Sequence, residues 1–138
     1  MFAFCEWNKT GYGISILHNG KKTFLNTELP VLPEWSPDNK KIAFFESVPH
    51  QEGGEYLKKL RILDVLSGQT LELWSTLGEA GILGWTKDSQ WVVATRYRSL
   101  APNWRKEVVA SSVDNRERIK VLCSPSEQVT SFDWHEVW

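Results

Sequence analysis

Apolar and polar positions along this chain alternate in short runs, at the period of two expected of half-buried strands. The clearest run is Lys59-Leu60-Arg61-Ile62-Leu63-Asp64-Val65, and Thr70-Leu71-Glu72-Leu73-Trp74 alternates again after the hairpin turn Ser67-Gly68-Gln69. Upstream, Val31 to Trp35 and Lys41 to Phe45 are short segments, the second dense in β-formers. Ser36-Pro37-Asp38-Asn39 joins them as a tight turn: Pro presets φ, and Asp and Asn tolerate turn geometry. These segments predict four antiparallel strands, A-B-C-D. The same plan follows downstream, with A over Ala80 to Trp85, B over Gln90 to Thr95, C over Glu107 to Val113 and D over Arg118 to Cys123. No stretch combines helical periodicity with caps, so the fold class is all-β.

The plan is a sequence repeat. Glu34-Trp35-Ser36-Pro37-Asp38-Asn39-Lys40-Lys41-Ile42-Ala43-Phe44 aligns with Gly84-Trp85-Thr86-Lys87-Asp88-Ser89-Gln90-Trp91-Val92-Val93, and Phe132-Asp133-Trp134-His135-Glu136 starts a third copy. Successive repeat tryptophans are about 50 positions apart, a period typical of propeller blades. Phe2-Ala3-Phe4-Cys5-Glu6 matches Ile42-Ala43-Phe44-Phe45-Glu46 position by position and reads as a B strand. Gly13 to Leu17 follows as C, then the strong Asn-Gly hairpin signal His18-Asn19-Gly20-Lys21, then Lys22 to Leu25 as D.

The chain therefore reads as three blades of four strands. Blade 1 comprises residues 1–26 with its A strand over 129–134, blade 2 residues 30–76 and blade 3 residues 79–124. Laying the C-terminus of one copy before the N-terminus of another gives SFDWHEVW-MFAFCEW, in which Phe2 follows Trp134 at nearly the spacing of Ile42 after Trp35, one position shorter. Propellers hold about 4–8 blades, so three cannot close a ring. Two copies give six blades, and two-fold closure is the commonest oligomer. The expectation is a homodimer forming one six-bladed ring with strand exchange at the termini, assembled through Phe2, Phe4, Phe132 and Trp134. A related chain supplying the other blades is the rival assembly.

Pro33-Glu34-Trp35-Ser36-Pro37-Asp38-Asn39-Lys40-Lys41-Ile42-Ala43-Phe44 closely resembles the repeat of TolB-like propellers, P-x-W-S-P-D-G-x-x-I-A-F. The resemblance is weaker around Trp85-Thr86-Lys87-Asp88-Ser89 and partial around Trp134 and Phe2-Ala3-Phe4. The family's turn Gly is Asn39 here, a residue able to adopt positive φ. Such propellers usually carry six or seven blades in one chain, so this is a short form. The resemblance implies a scaffold for protein contacts. Related blades also serve as gating domains beside peptidases, and no peptidase domain is present in this sequence.

Composition narrows the partners. The chain has 138 residues and a formal net charge of −1, which gives no electrostatic case for nucleic acid or an anionic membrane. No apolar run approaches the roughly 18 residues of a membrane span. The first residues lack the basic and apolar regions of a secretory signal, so the cytoplasm is the expected compartment. Cys5 and Cys123 are expected as free thiols, since neither sits in a metal or redox motif. The 8 Trp call for a reason, and the repeat accounts for Trp35, Trp85 and Trp134 as inter-blade packing residues.

Nucleotide-binding, metalloprotease, hydrolase-elbow and calcium-loop signatures are absent from the sequence. His18, His50 and His135 share no metal spacing, and the Glu52 and Glu55 pair flanks Gly53-Gly54 in a loop without pKa-raising burial. No catalytic residue, metal ligand or cofactor is expected. The long B–C loops, Val48 to Tyr56 and Tyr97 to Arg105, share one face with the D–A links. Loops on a rigid scaffold are where function tends to sit. His50, Glu52, Arg96, Tyr97, Arg98, Trp104 and Arg105 are the candidate contacts for an unknown protein or peptide, the basic-aromatic group being of the kind enriched at interaction hot spots. Three readings stand: an interaction scaffold, leaning non-enzymatic; a small-ligand binder or hydrolase-like enzyme with a site at the channel mouth; and an inactive propeller fragment.

Overall fold

The computed structural model describes residues 2–27, 30–50, 56–97 and 106–123. They form three antiparallel sheets. The first holds β1 (Phe2–Asn8), β2 (Gly11–His18) and β3 (Lys21–Asn26) in that order. The second runs β4 (Pro30–Trp35), β5 (Lys41–Pro49), β6 (Tyr56–Asp64) and β7 (Thr70–Leu77), and the third runs β8 (Gly81–Trp85), β9 (Trp91–Tyr97), β10 (Lys106–Ser112) and β11 (Ile119–Cys123). Spatial order equals chain order in every sheet, the A-B-C-D meander of a propeller blade. The first sheet is the exception in content, since the described residues supply it with three strands rather than four.

The repeat motif is a hydrogen-bonded turn. Ser36 donates its hydroxyl to Asp38 Oδ1 at 2.6 Å, and that carboxylate also accepts from the Lys40 amide at 3.0 Å. The Lys41 amide donates back to Ser36 Oγ at 2.9 Å. The second copy repeats each bond: Thr86 Oγ1 to Asp88 Oδ1 at 2.6 Å, the Gln90 amide to Asp88 Oδ1 at 3.0 Å, and the Trp91 amide to Thr86 Oγ1 at 3.1 Å. The turn's side-chain bonds come from the hydroxyl and the Asp and not from Pro37, so the second copy keeps the turn with Lys87 in place of Pro. Asn39 and Ser89 carry φ of 59° and 61°, the left-handed position where the resembling repeat has Gly. The Asn19-Gly20 hairpin has positive φ at both residues, the geometry of a type I′ turn.

The sheets stack face to face. Ile42 and Phe44 of β5 and Leu63 of β6 meet Ile14 and Ile16 of β2, with Ala3, Leu25 and Trp35 packed around them. Between the second and third sheets, Ala43, Phe45, Leu60, Ile62 and Trp74 meet Trp85, Val92, Ala94 and Val109. Successive residues of β5 thus serve opposite interfaces, as the pleat requires. A third cluster, Trp91, Val93, Val108 and Ala110, lies on the face of the third sheet turned away from the second.

One expectation needs correction at the strand ends. Val48, Pro49 and Tyr56 were expected in a loop, but Val48 pairs with Leu57 and Pro49 with Tyr56. Tyr97 is likewise in a strand, opposite Lys106. The apolar and aromatic residues at these ends favour continued pairing, and Pro49 sits at a strand end where its missing donor costs little.

Candidate functional site

The register fixes which ends of the strands share a face. Pro49 opposes Tyr56, Leu57 opposes Leu77 and Gly81 opposes Thr95, so the B–C loops and D–A links emerge together. Between the second and third sheets this face holds an open cleft of about 280 Å³, lined by Lys58, Glu79, Ala80, Gly81, Thr95 and Lys106. Its charge is mixed, with two lysines and one glutamate.

The predicted contact residues separate at this face. His50 is exposed just beyond β5. Arg96 is half-buried and engaged between the sheets. Its Nε donates to Glu107 Oε1 at 2.8 Å, and its guanidinium lies 5.2 Å from the centre of the Trp74 ring. Glu107 is buried, and Arg96 is the cation paired with it. Trp74 in turn donates its indole N–H to Ser111 Oγ at 2.8 Å and meets Phe45 edge-on at 5.6 Å. Arg96 therefore pins the second sheet to the third. The carbonyl of Tyr97 accepts from the Thr76 hydroxyl at 3.3 Å, and the Lys106 ammonium lies 5.9 Å from its ring centre. Glu52, Arg98, Trp104 and Arg105 lie outside the described residues, as do Glu55 and His135.

Sequence reading missed this Trp74–Arg96–Glu107–Ser111 network. A signal existed: Glu107 is a lone acid leading into Val108-Val109-Ala110. Its partner was hidden because Arg96↔Glu107 pairing depends on the register across a long loop.

The inner edge of the first sheet is the second notable feature. Phe2 is 69% exposed and Phe4 40%, and the Lys22 ammonium lies 5.7 Å from the Phe4 ring centre. Lys22 also holds Glu6 at 2.8 Å, and that bond keeps the Glu6 carboxyl below its ordinary range. The assembly residues Phe132 and Trp134 lie outside the described residues. Beside this edge, the indole nitrogen of Trp35 is buried and has no hydrogen-bond partner among the described residues. Its repeat equivalent, Trp85, donates to the Glu34 carbonyl at 3.1 Å.

Reactive chemistry is sparse here. Burial pushes the Cys5 thiol up, which keeps it protonated and poorly nucleophilic near neutral pH. Hydrogen bonds from Ser36 and Thr86 hold the Asp38 and Asp88 carboxyls low, the behaviour of structural turn residues. Among the described residues no group of three or more His, Cys, Asp or Glu is placed to hold a metal ion.

No protein-family model and no curated protein matches the sequence. Solved structures do match. The β-propeller domain of the Trilobed protease from Pyrococcus furiosus, described as having an open velcro topology, aligns with a TM-score of 0.62 at 18% identity, over 87% of this chain and 37% of that one. Pyrococcus horikoshii acylaminoacyl peptidase aligns with a TM-score of 0.62 at 17% identity, over 96% of this chain and 24% of that one. An acylaminoacyl peptidase in complex with Z-Gly-Gly-Phe-chloromethyl ketone aligns with a TM-score of 0.56 at 15% identity. The chain thus spans well under half the length of the proteins it matches. These likenesses establish the fold: the three sheets are β-propeller blades.

Proposed function

We propose that this chain is a non-enzymatic scaffold for protein or peptide contacts, a short TolB-like form that completes a six-bladed β-propeller ring by pairing two copies. The observation that carries the reading is the difference between its blades. Among the described residues the second and third own an innermost strand, whereas the first ends at β1, with Phe2 and Phe4 exposed. An open apolar strand edge is a template for another strand. In the proposed ring, residues 129–134 of a second copy pair with β1, and the loop-rich face receives the protein or peptide. The peptidase propellers it is similar to support a peptide-facing role. The proposed contacts are His50, Glu52, Arg96, Tyr97, Arg98, Trp104 and Arg105, with Arg96 also serving as a strut between the second and third sheets.

Sedimentation of the full chain and of a chain lacking Val129–Trp138 tests the assembly. The full chain is expected to sediment as a dimer and the shortened chain as a monomer. Dimerisation that survives the deletion contradicts closure by this strand.

A further inference from the structure

We infer that the cleft between the second and third sheets takes a carboxylate of a bound peptide between the ammonium groups of Lys58 and Lys106. The inference rests on the peptide-binding reading of the loop-rich face and names the group that face recognises.

Both blades build the cleft. Lys58 stands on the face of β6 that carries Leu60 and Ile62, which pack against the third blade. Its ladder neighbours are Ser47 and Thr76, so neither offers it a carboxylate. Lys106 heads β10 opposite Tyr97, with its ammonium 5.9 Å from the tyrosine ring centre. Both lysines are half-buried, and both line the same opening of about 280 Å³. Glu79, Ala80, Gly81 and Thr95 complete the lining. The Thr95 hydroxyl donates to the Gly81 carbonyl at 3.5 Å and ties the D–A link to β9. A Cβ on Gly81 would meet Thr95 Oγ1 at 3.6 Å, an ordinary contact, so the main chain of β8 lies open to the cleft at this point.

Charge sets the ligand. Lys22, Arg61 and Arg96 each hold an acid, namely Glu6, Glu46 and Glu107. Among the described residues Lys58 and Lys106 hold none, although Glu79 lines the same cleft. Two like charges held at one cleft repel each other. An anion between them relieves that repulsion, and the cleft walls focus their field on it. Two lysines against one glutamate leave a single positive charge, which matches one carboxylate better than a doubly charged phosphate. A peptide brings a carboxylate at its C-terminus or on an Asp or Glu side chain, and an ammonium pair serves either by charge-assisted hydrogen bonds.

Amide-shift titration of the ¹⁵N-labelled full chain with three hexapeptide pools tests this. The first pool has free C-termini and no acidic residue, the second has amidated C-termini and one internal Glu, and the third is amidated with no acidic residue. The Gly81 and Thr95 amides should shift with the first pool, the second or both, which identifies the source of the carboxylate, and stay in place with the third. The double variant Lys58→Gln with Lys106→Gln should weaken that binding at least about tenfold. Glu79→Gln should tighten it about twofold, a change of sign opposite to damage of the fold. In the wild-type chain, raising salt from about 0.05 to about 0.5 M should weaken it severalfold. Equal shifts with the third pool, or binding that ignores both the lysine substitutions and salt, overturn the carboxylate site. Shifts confined to the His50 and Tyr97 amides with all three pools overturn it too and leave the peptide-binding face standing. No shift on this face with any pool overturns both.

Discussion

Ile42 and Phe44 are fully buried, and Phe2 and Phe4 occupy the same repeat positions yet stand 69% and 40% exposed. Residue type and strand position do not account for the difference, since all four are large apolar residues on a B strand. What differs is the neighbour. Ile42 and Phe44 are covered by Ile14 and Ile16 of the blade before them. Phe2 and Phe4 point at the place where a preceding blade would stand. In a stack of this kind each blade depends on adjacent ones, so stability is a sum of nearest-neighbour interfaces. A blade interface is complete only when both faces and the inner strand are present.

That contrast can be broken from its closed side. Phe45→Ala, in the interface between the second and third blades, should cost about 3–5 kcal/mol and abolish cooperative unfolding near physiological temperature, read by thermal melting. Arg96→Ala comes next. It leaves the buried Glu107 carboxylate without its cation, and a loss of about 2 kcal/mol is expected. This is below the range for a fully buried pair because the Arg96 side chain keeps 23% of its surface exposed. Arg96→Lys should recover little of it, since a lysine cannot reproduce the guanidinium plane over Trp74.

The turns give a smaller, pH-dependent effect. Asp38 and Asp88 are held below the ordinary carboxylate range by the hydroxyls of Ser36 and Thr86. A depressed folded pKa stabilises the fold above the unfolded value and loses that contribution as pH falls through the folded one. The urea midpoint should therefore drop on acidification below about pH 4, and the double variant Asp38→Asn with Asp88→Asn should flatten that drop. The smallest effect belongs to the open side. Phe2→Ser with Phe4→Ser should change the unfolding free energy of the single chain by no more than about 0.5 kcal/mol while preventing association.

Much of the architecture is legible in the sequence because the repeat is written in residues with local consequences. The Ser36–Asp38 and Thr86–Asp88 turns make their own hydrogen bonds, so their spacing alone sets the strand boundaries around them. Asn19-Gly20 dictates its hairpin for the same reason. The interaction face is less legible. Arg96 reads as a surface cation and is a strut between blades, because its partners Glu107 and Trp74 come from other strands whose register runs through a long loop. The difference between Trp35 and Trp85 is invisible without coordinates: the two are equivalent in the sequence, yet among the described residues only Trp85 has an acceptor for its indole N–H.

Light scattering of the full chain across a dilution series tests the central claim most directly. A ring built from two copies predicts a particle of twice the chain mass that dissociates only on strong dilution. A stable particle of one chain mass at micromolar concentration would contradict it.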